Sequence, residues 1–199
     1  MLPPTSTFGL LDRVREGDEE AFSLLFRKYS PRLAVLIHYK LGPEMRSRLE
    51  VEDILQETFF AAHRRLEQFT YRSPGSFMSW LARIADHVIV DAARFHGRQK
   101  RQPEEMLSLR TESNPRGAEG VNSLTPSRIL VRRERLQQVL EALDALPEDY
   151  RRVILLARVM GLSTQEIAEQ MGRPRENVAV LLHRAVGRLR QLAHKSEAP

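Results

Sequence analysis

Two groups of charged side chains stand out, and neither is built for covalent chemistry. Glu52, Asp53 and Glu57 crowd into a short span in which no Lys or Arg occurs from Glu50 to Phe60. Asp53, Gln56 and Glu57 stand at i, i+3 and i+4, so a helix would place them on one face. The two carboxylates repel each other there by roughly 0.2–0.5 kcal/mol. Such a face suits a partner that brings its own Arg or Lys. The second group is basic. From Gly172 to Lys195 the sequence carries Arg173, Arg175, Arg184, Arg188, Arg190 and Lys195 against one acid, Glu176, a surplus equal to the net +5 of the whole chain. Clustered cations of this kind neutralise phosphates and give salt-dependent binding to nucleic acid. A weaker set, Arg83, His87, Arg94 and Arg98, recurs at near-helical spacing, interrupted by Asp86 and Asp91. It suits the tracking of a nucleic-acid strand.

Other chemistries find no support. Cys is 0, which removes disulfides, thiolate zinc and thiol nucleophiles. The six histidines, at 38, 63, 87, 96, 183 and 194, do not cluster as metal ligands. The acidic segment has no Glu followed three residues later by His, as carboxylate-bridged helices need. No nucleophile–base pair or phosphate loop is visible. The expected tally is no catalytic residue, no metal and no cofactor.

The elements that must position these groups read as helices. The 199 residues are 42% hydrophobic and 29% charged, which suits a folded chain of one ordinary or two small domains. Apolar residues fall at three-and-four spacing throughout, and no stretch alternates as a strand does, so the expected class is all-α. Asp18 is an expected N-cap. Pro31 is expected to interrupt the helix that follows, and Gly42-Pro43 to break it. Val51, Ile54, Leu55, Thr58, Phe59 and Ala62 form the apolar stripe beneath the acidic face. Thr70 to Gly75 reads as a loop before a long helix carrying Phe77, Trp80, Leu81, Ile84 and Val88. Trp80 shares that helix's apolar stripe, which assigns it to packing. Residues 99–127, with Pro103, Asn114-Pro115, Gly117, Gly120 and Pro126, read as a flexible linker between domains at 10–98 and 128–195. No apolar run approaches the roughly 20 residues of a membrane span. Met1 to Phe8 lack the basic start of a signal peptide, so a cytoplasmic location is expected.

Ser163 to His183 has the grammar of a helix-turn-helix. Ser163 and Glu166 match a capping box. Ile167, Ala168 and Met171 face inward, Gly172 supplies the positive φ of the turn, and Pro174 suits the start of the next helix. Val178 and Leu182 pack that second helix back.

In this order the pieces resemble the extracytoplasmic-function (ECF) group of bacterial RNA polymerase sigma factors, over most of the chain. Glu52-Asp53-Ile54-Leu55-Gln56-Glu57-Thr58-Phe59 looks like the core-binding motif of the second sigma region. Ser76 to Ala85 looks like the melting and minus-ten segment. Ala145 through Ala185 looks like the fourth region, with no third region between. The resemblance implies that Glu52, Asp53, Gln56 and Glu57 dock on the β′ clamp helices of core RNA polymerase. It implies that Arg83, His87, Arg94 and Arg98 meet the melted minus-ten strand of promoter DNA. The helix from Arg175 would then enter the minus-thirty-five major groove through Arg173, Arg175, Glu176, Asn177, His183, Arg184 and Arg188. The fourth region would also touch the polymerase β flap, and an anti-sigma factor is a further partner the resemblance admits. Two departures stand out. Ala179, Val180 and Leu181 occupy positions where the family commonly has basic, serine and basic residues, and Asp86 stands where a neutral or basic residue is usual. Two other classes compete: a helix-turn-helix regulator with a ligand-sensing N-terminal domain, and an α-helical enzyme. The first leaves the Asp53–Glu57 face unexplained; the second lacks any catalytic set.

Overall fold

The computed structural model describes residues 6–73, 75–99 and 126–196, with side chains left out at 96–99, 126–133 and 194–196. Among the described residues it is all-α: α1 (Thr7–Arg15), α2 (Glu19–Arg46), α3 (Val51–Arg64), α4 (Ser76–Gln99), α5 (Pro126–Asp144), α6 (Glu148–Ile154), α7 (Thr164–Met171) and α8 (Arg175–Ser196). A 3-10 turn, Leu66–Gln68, follows α3, and a π-helical turn, Leu155–Met160, extends α6.

Local chemistry sets most of the boundaries. Ser6 caps α1 by accepting from the Gly9 N–H. Asp18 caps α2 by accepting from the Ala21 N–H, and its carboxyl is held below the usual carboxylate range, first by that bond and then by Arg13. Pro31 does not interrupt α2; the helix runs through it. Proline there removes one backbone donor. The buried face of Leu25, Tyr29, Leu33 and Ile37 continues on both sides of Pro31 and holds the helix together. Gly42 does break the helical geometry, at φ 63° and ψ 166°.

The first four helices enclose one apolar core. Leu10 and Leu11 of α1, Leu25, Leu33 and Ile37 of α2, Ile54 and Phe59 of α3, and Phe77, Met78, Leu81 and Ala85 of α4 are all buried. Tyr29 is buried among them and its hydroxyl pairs with that of Thr7 at 2.8 Å. Half-buried Trp80 lies 4.9 Å from Phe69 and 5.7 Å from Phe77, centroid to centroid, in the packing role expected of it. The last four helices gather around Leu140, Leu143, Leu146, Val153, Ile167, Val178 and Ala185.

Several contacts among the described residues join the two halves. Arg32 Nε of α2 donates to the Val159 carbonyl at 2.9 Å, and the Tyr39 hydroxyl donates to Asp144 at 2.8 Å. The loop before α4 meets the turn after Met160, where a Cβ on Gly75 would sit 2.9 Å from the Gly161 oxygen. The stretch expected as a linker, 99–127, falls mostly outside the described residues. At its margins the expectation is corrected: Gln99 ends α4, and Pro126 and Ser127 open α5.

Candidate partner and nucleic-acid interfaces

The acidic face is built by α3. Ile54, Thr58, Phe59 and Ala62 turn inward and are buried. Buried Thr58 donates its hydroxyl to the Ile54 carbonyl at 2.6 Å, which leaves no unsatisfied polar atom inside the stripe. The opposite side therefore faces out, and Asp53, Gln56 and Glu57 are exposed. Neither Asp53 nor Glu57 has an ion-pair partner among the described residues. Glu52 is half-buried and lines a groove of about 260 Å³ with Glu50, His38, Arg46, Leu136 and Leu140. Burial lowers the pKa of His38, and the Arg46 charge lowers it further against Asp144. The structure thus brings Asp53, Gln56 and Glu57 into one exposed patch and sets Glu52 at its edge.

The α4 face is more basic than its sequence suggests. Asp86 is tied to Lys40 of α2 at 2.6 Å, and Asp91 sits 3.7 Å from Arg94. Lys40 thus offsets Asp86 from another helix, whereas Asp91 is met only by Arg94, itself one of the basic set. Arg83 and His87 are exposed on the same side, and the His87 Nδ1 lies 2.7 Å from the Arg83 carbonyl. The Arg98 side chain lies outside the described residues. Lys40 was not legible as part of this face, because it lies 46 residues away in sequence.

The helix-turn-helix matches its sequence grammar closely. Ser163 Oγ accepts from the Glu166 N–H, and the Glu166 carboxylate accepts from the Ser163 N–H at 2.7 Å, completing a capping box. Those bonds hold the Glu166 carboxyl below the usual carboxylate range. Gly172 adopts φ 63°, the left-handed conformation that a side chain resists. Pro174 stands just ahead of α8, and its carbonyl accepts from Val178. Val178 and Ala185 are fully buried, which turns the other side of α8 outward.

That outward side carries Arg175, Glu176, Asn177, His183, Arg184 and Arg188, all exposed. Arg173 differs from them. It donates to Asp149 at 2.7 Å and so ties the turn to α6, while Arg152 donates to the Gln170 carbonyl at 3.2 Å from the same side. Its charge is partly spent inside the chain. Val180 is 49% exposed near the start of the same helix.

Among the described residues no group of His, Asp and Glu could hold a metal ion, and no helix is long and apolar enough to cross a membrane.

The chain matches known proteins along most of its length. Residues 25–99 match the family model described as Sigma-70 region 2, and residues 136–189 match that of Sigma-70 region 4. The chain is 33% identical to an ECF RNA polymerase sigma-E factor of Haemophilus influenzae over 88% of its own length and 89% of that protein. It is 32% identical to the factor of that name from Escherichia coli K12, over 88% of each. Among solved structures, CnrH in complex with the cytosolic domain of CnrY aligns at 24% identity over 95% of this chain and 97% of that one, with a TM-score of 0.40.

Proposed function

Because the chain belongs to the ECF sigma factors of bacterial RNA polymerase, we infer that it directs core polymerase to specific promoters through two exposed helix faces of opposite charge. As a sigma factor it works with core polymerase and promoter DNA in transcription initiation. The finer assignment, which residues meet which partner, rests on one observation: the Asp53–Gln56–Glu57 face is exposed and lacks an internal cation, while the α8 face is exposed and rich in Arg.

Residues 10–98 form the unit that holds core polymerase and the minus-ten strand. Glu52, Asp53, Gln56 and Glu57 meet the polymerase. Arg83, His87, Arg94 and Arg98 run along the strand, with Lys40 cancelling Asp86. Residues 128–195 form the unit that reads the minus-thirty-five duplex. Arg184 and His183 approach base edges, Arg175, Arg188 and Arg190 approach phosphate, and Arg173 fixes the turn. No covalent step is involved; binding energy spent on both partners favours the opened strand. The site of action is the cytoplasm, where polymerase and promoter are.

A ligand-sensing repressor would share the α8 surface and not the α3 one. Titrating labelled chain with core polymerase in the absence of DNA separates the two. Saturable binding supports the sigma reading, and DNA binding without any affinity for core overturns it.

A further inference from the structure

The early exposed face of α8 is not uniformly polar. Glu176, Ala179, Val180, His183 and Gly187 recur at three-and-four spacing, opposite buried Val178 and Ala185, and all five are exposed. In the middle of this stripe two adjacent positions, Ala179 and Val180, carry no hydrogen-bonding atom. Val180 is 49% exposed, among the most exposed large apolar side chains of the described residues. Arg184 lies one turn later, and Arg188 and Arg190 follow. The apolar spot is therefore framed by cations, which selects a polyanionic occupant. A second helix of a helix-turn-helix presents its N-terminal half to base edges in the major groove.

Chemistry then narrows the base. The only apolar group on the floor of the major groove is the C5-methyl of thymine. Against guanine or cytosine, Val180 would strip water from O6, N7 or the N4 amino group and return no hydrogen bond, a net penalty. Against thymine it would bury two methyl surfaces at once. We propose that Val180, with Ala179 beside it, is a specificity-determining contact that selects a thymine methyl in the upstream promoter element. His183 and Arg184 read the adjoining base pairs by hydrogen bonds. The upstream element thus has a methyl-read part and a hydrogen-bonded part, set side by side along one helix. This assignment rests on the sigma reading of α8.

The test uses holoenzyme assembled from the full chain and core polymerase. Duplexes are first selected from a pool randomised upstream of a fixed minus-ten region. Each thymine of the selected element is then replaced by uracil, which deletes the methyl and leaves every hydrogen-bonding atom in place. The expected result is a loss of about fourfold in affinity at one or two positions, the worth of burying one such carbon. Val180→Ser holoenzyme should lose that sensitivity, and Arg184→Ala holoenzyme should keep it. Uracil that is neutral everywhere in a well-defined selected element overturns the methyl contact and leaves the sigma reading standing. Uracil sensitivity that persists undiminished in Val180→Ser overturns the assignment to that residue. A chain that forms no holoenzyme, or a holoenzyme that selects no upstream sequence, overturns the sigma reading and this contact together.

Discussion

Helices α3 and α8 are built alike and present faces of opposite charge. Each buries an inward stripe: Ile54, Thr58, Phe59 and Ala62 in one, Val178 and Ala185 in the other. Each turns a charged face outward. On α3 that face is acidic, and its central carboxylates have no cation among the described residues. On α8 the charge comes from Arg175, Arg184, Arg188 and Arg190, and Glu176 is the one acid among its described exposed positions. The inner stripe fixes how the helix sits in the fold, and the outer charge fixes what it can meet. An acidic face repels DNA phosphates and attracts a basic protein groove; an Arg face does the reverse. Under the proposed function, one chain would hold polymerase and promoter at once without either surface competing for the other's ligand.

The sharpest way to break this comparison is to reverse one face. Asp53→Lys with Glu57→Lys leaves the buried stripe untouched, so helix content by circular dichroism should not change. Affinity for core polymerase should fall by about 2–5 kcal/mol, the cost of unpairing charged partners at an interface. Unchanged affinity in a titration would remove α3 from the polymerase contact. The basic face invites the finer dissection. Arg184→Ala should cost about 1–3 kcal/mol on the preferred promoter and relax preference at one base pair. Arg188→Ala should weaken every promoter alike and lower the salt slope by roughly 1. Equal losses on all sequences for Arg184→Ala would make it a phosphate contact.

Gly172 sharpens the comparison in a different way, because α8 depends on a turn that α3 lacks. A Cβ at Gly172 meets nothing within 4 Å, so the cost of Gly172→Ala is backbone strain alone. At φ 63° that is about 1–2 kcal/mol. Thermal melting should show the loss, and the affinity for core polymerase should stay as it was. Smaller still is the Lys40–Asp86 pair. Exposed pairs contribute less than about 1 kcal/mol to stability, so Lys40→Ala should barely move the melting temperature. It should weaken binding to the single-stranded minus-ten segment, because Asp86 then faces the strand uncancelled, and Asp86→Asn in the same chain should restore it. No restoration would separate Asp86 from the strand.

The smallest effect lies beside the acidic face, at His38. Its folded-state pKa is lowered from 6.5, chiefly by burial. The neutral ring is thus favoured in the fold. As pH falls through 6.5 the unfolded chain takes up a proton before the folded chain does, so stability declines from there downward. His38→Gln should flatten that part of the denaturation profile, read as midpoint against pH.

Much of this was legible in the sequence because it rests on local chemistry. The Asp18 cap, the Gly42 break, the Ser163–Glu166 capping box and the positive φ of Gly172 each need only a few neighbouring residues. The shared face of Asp53, Gln56 and Glu57 follows from helical spacing. Pro31 shows where local reasoning stops: the buried face on either side of it outweighs one missing hydrogen bond. The cancellation of Asp86 by Lys40, the tie from Arg173 to Asp149, and the contacts of Arg32 and Tyr39 with the second half of the chain are tertiary. No spacing rule brings residues together across such separations, and only packing does.

The central claim is that both faces act together to start transcription at chosen sites. Run-off transcription from selected promoter fragments tests it most directly, with core polymerase and the chain added singly and together, and with the Asp53→Lys, Glu57→Lys variant in parallel. A transcript of defined start should appear only when both proteins are present, and it should be lost in the variant even though α8 is intact. A transcript of equal yield from the variant would contradict it, as would a chain that binds the promoter and blocks initiation by core polymerase.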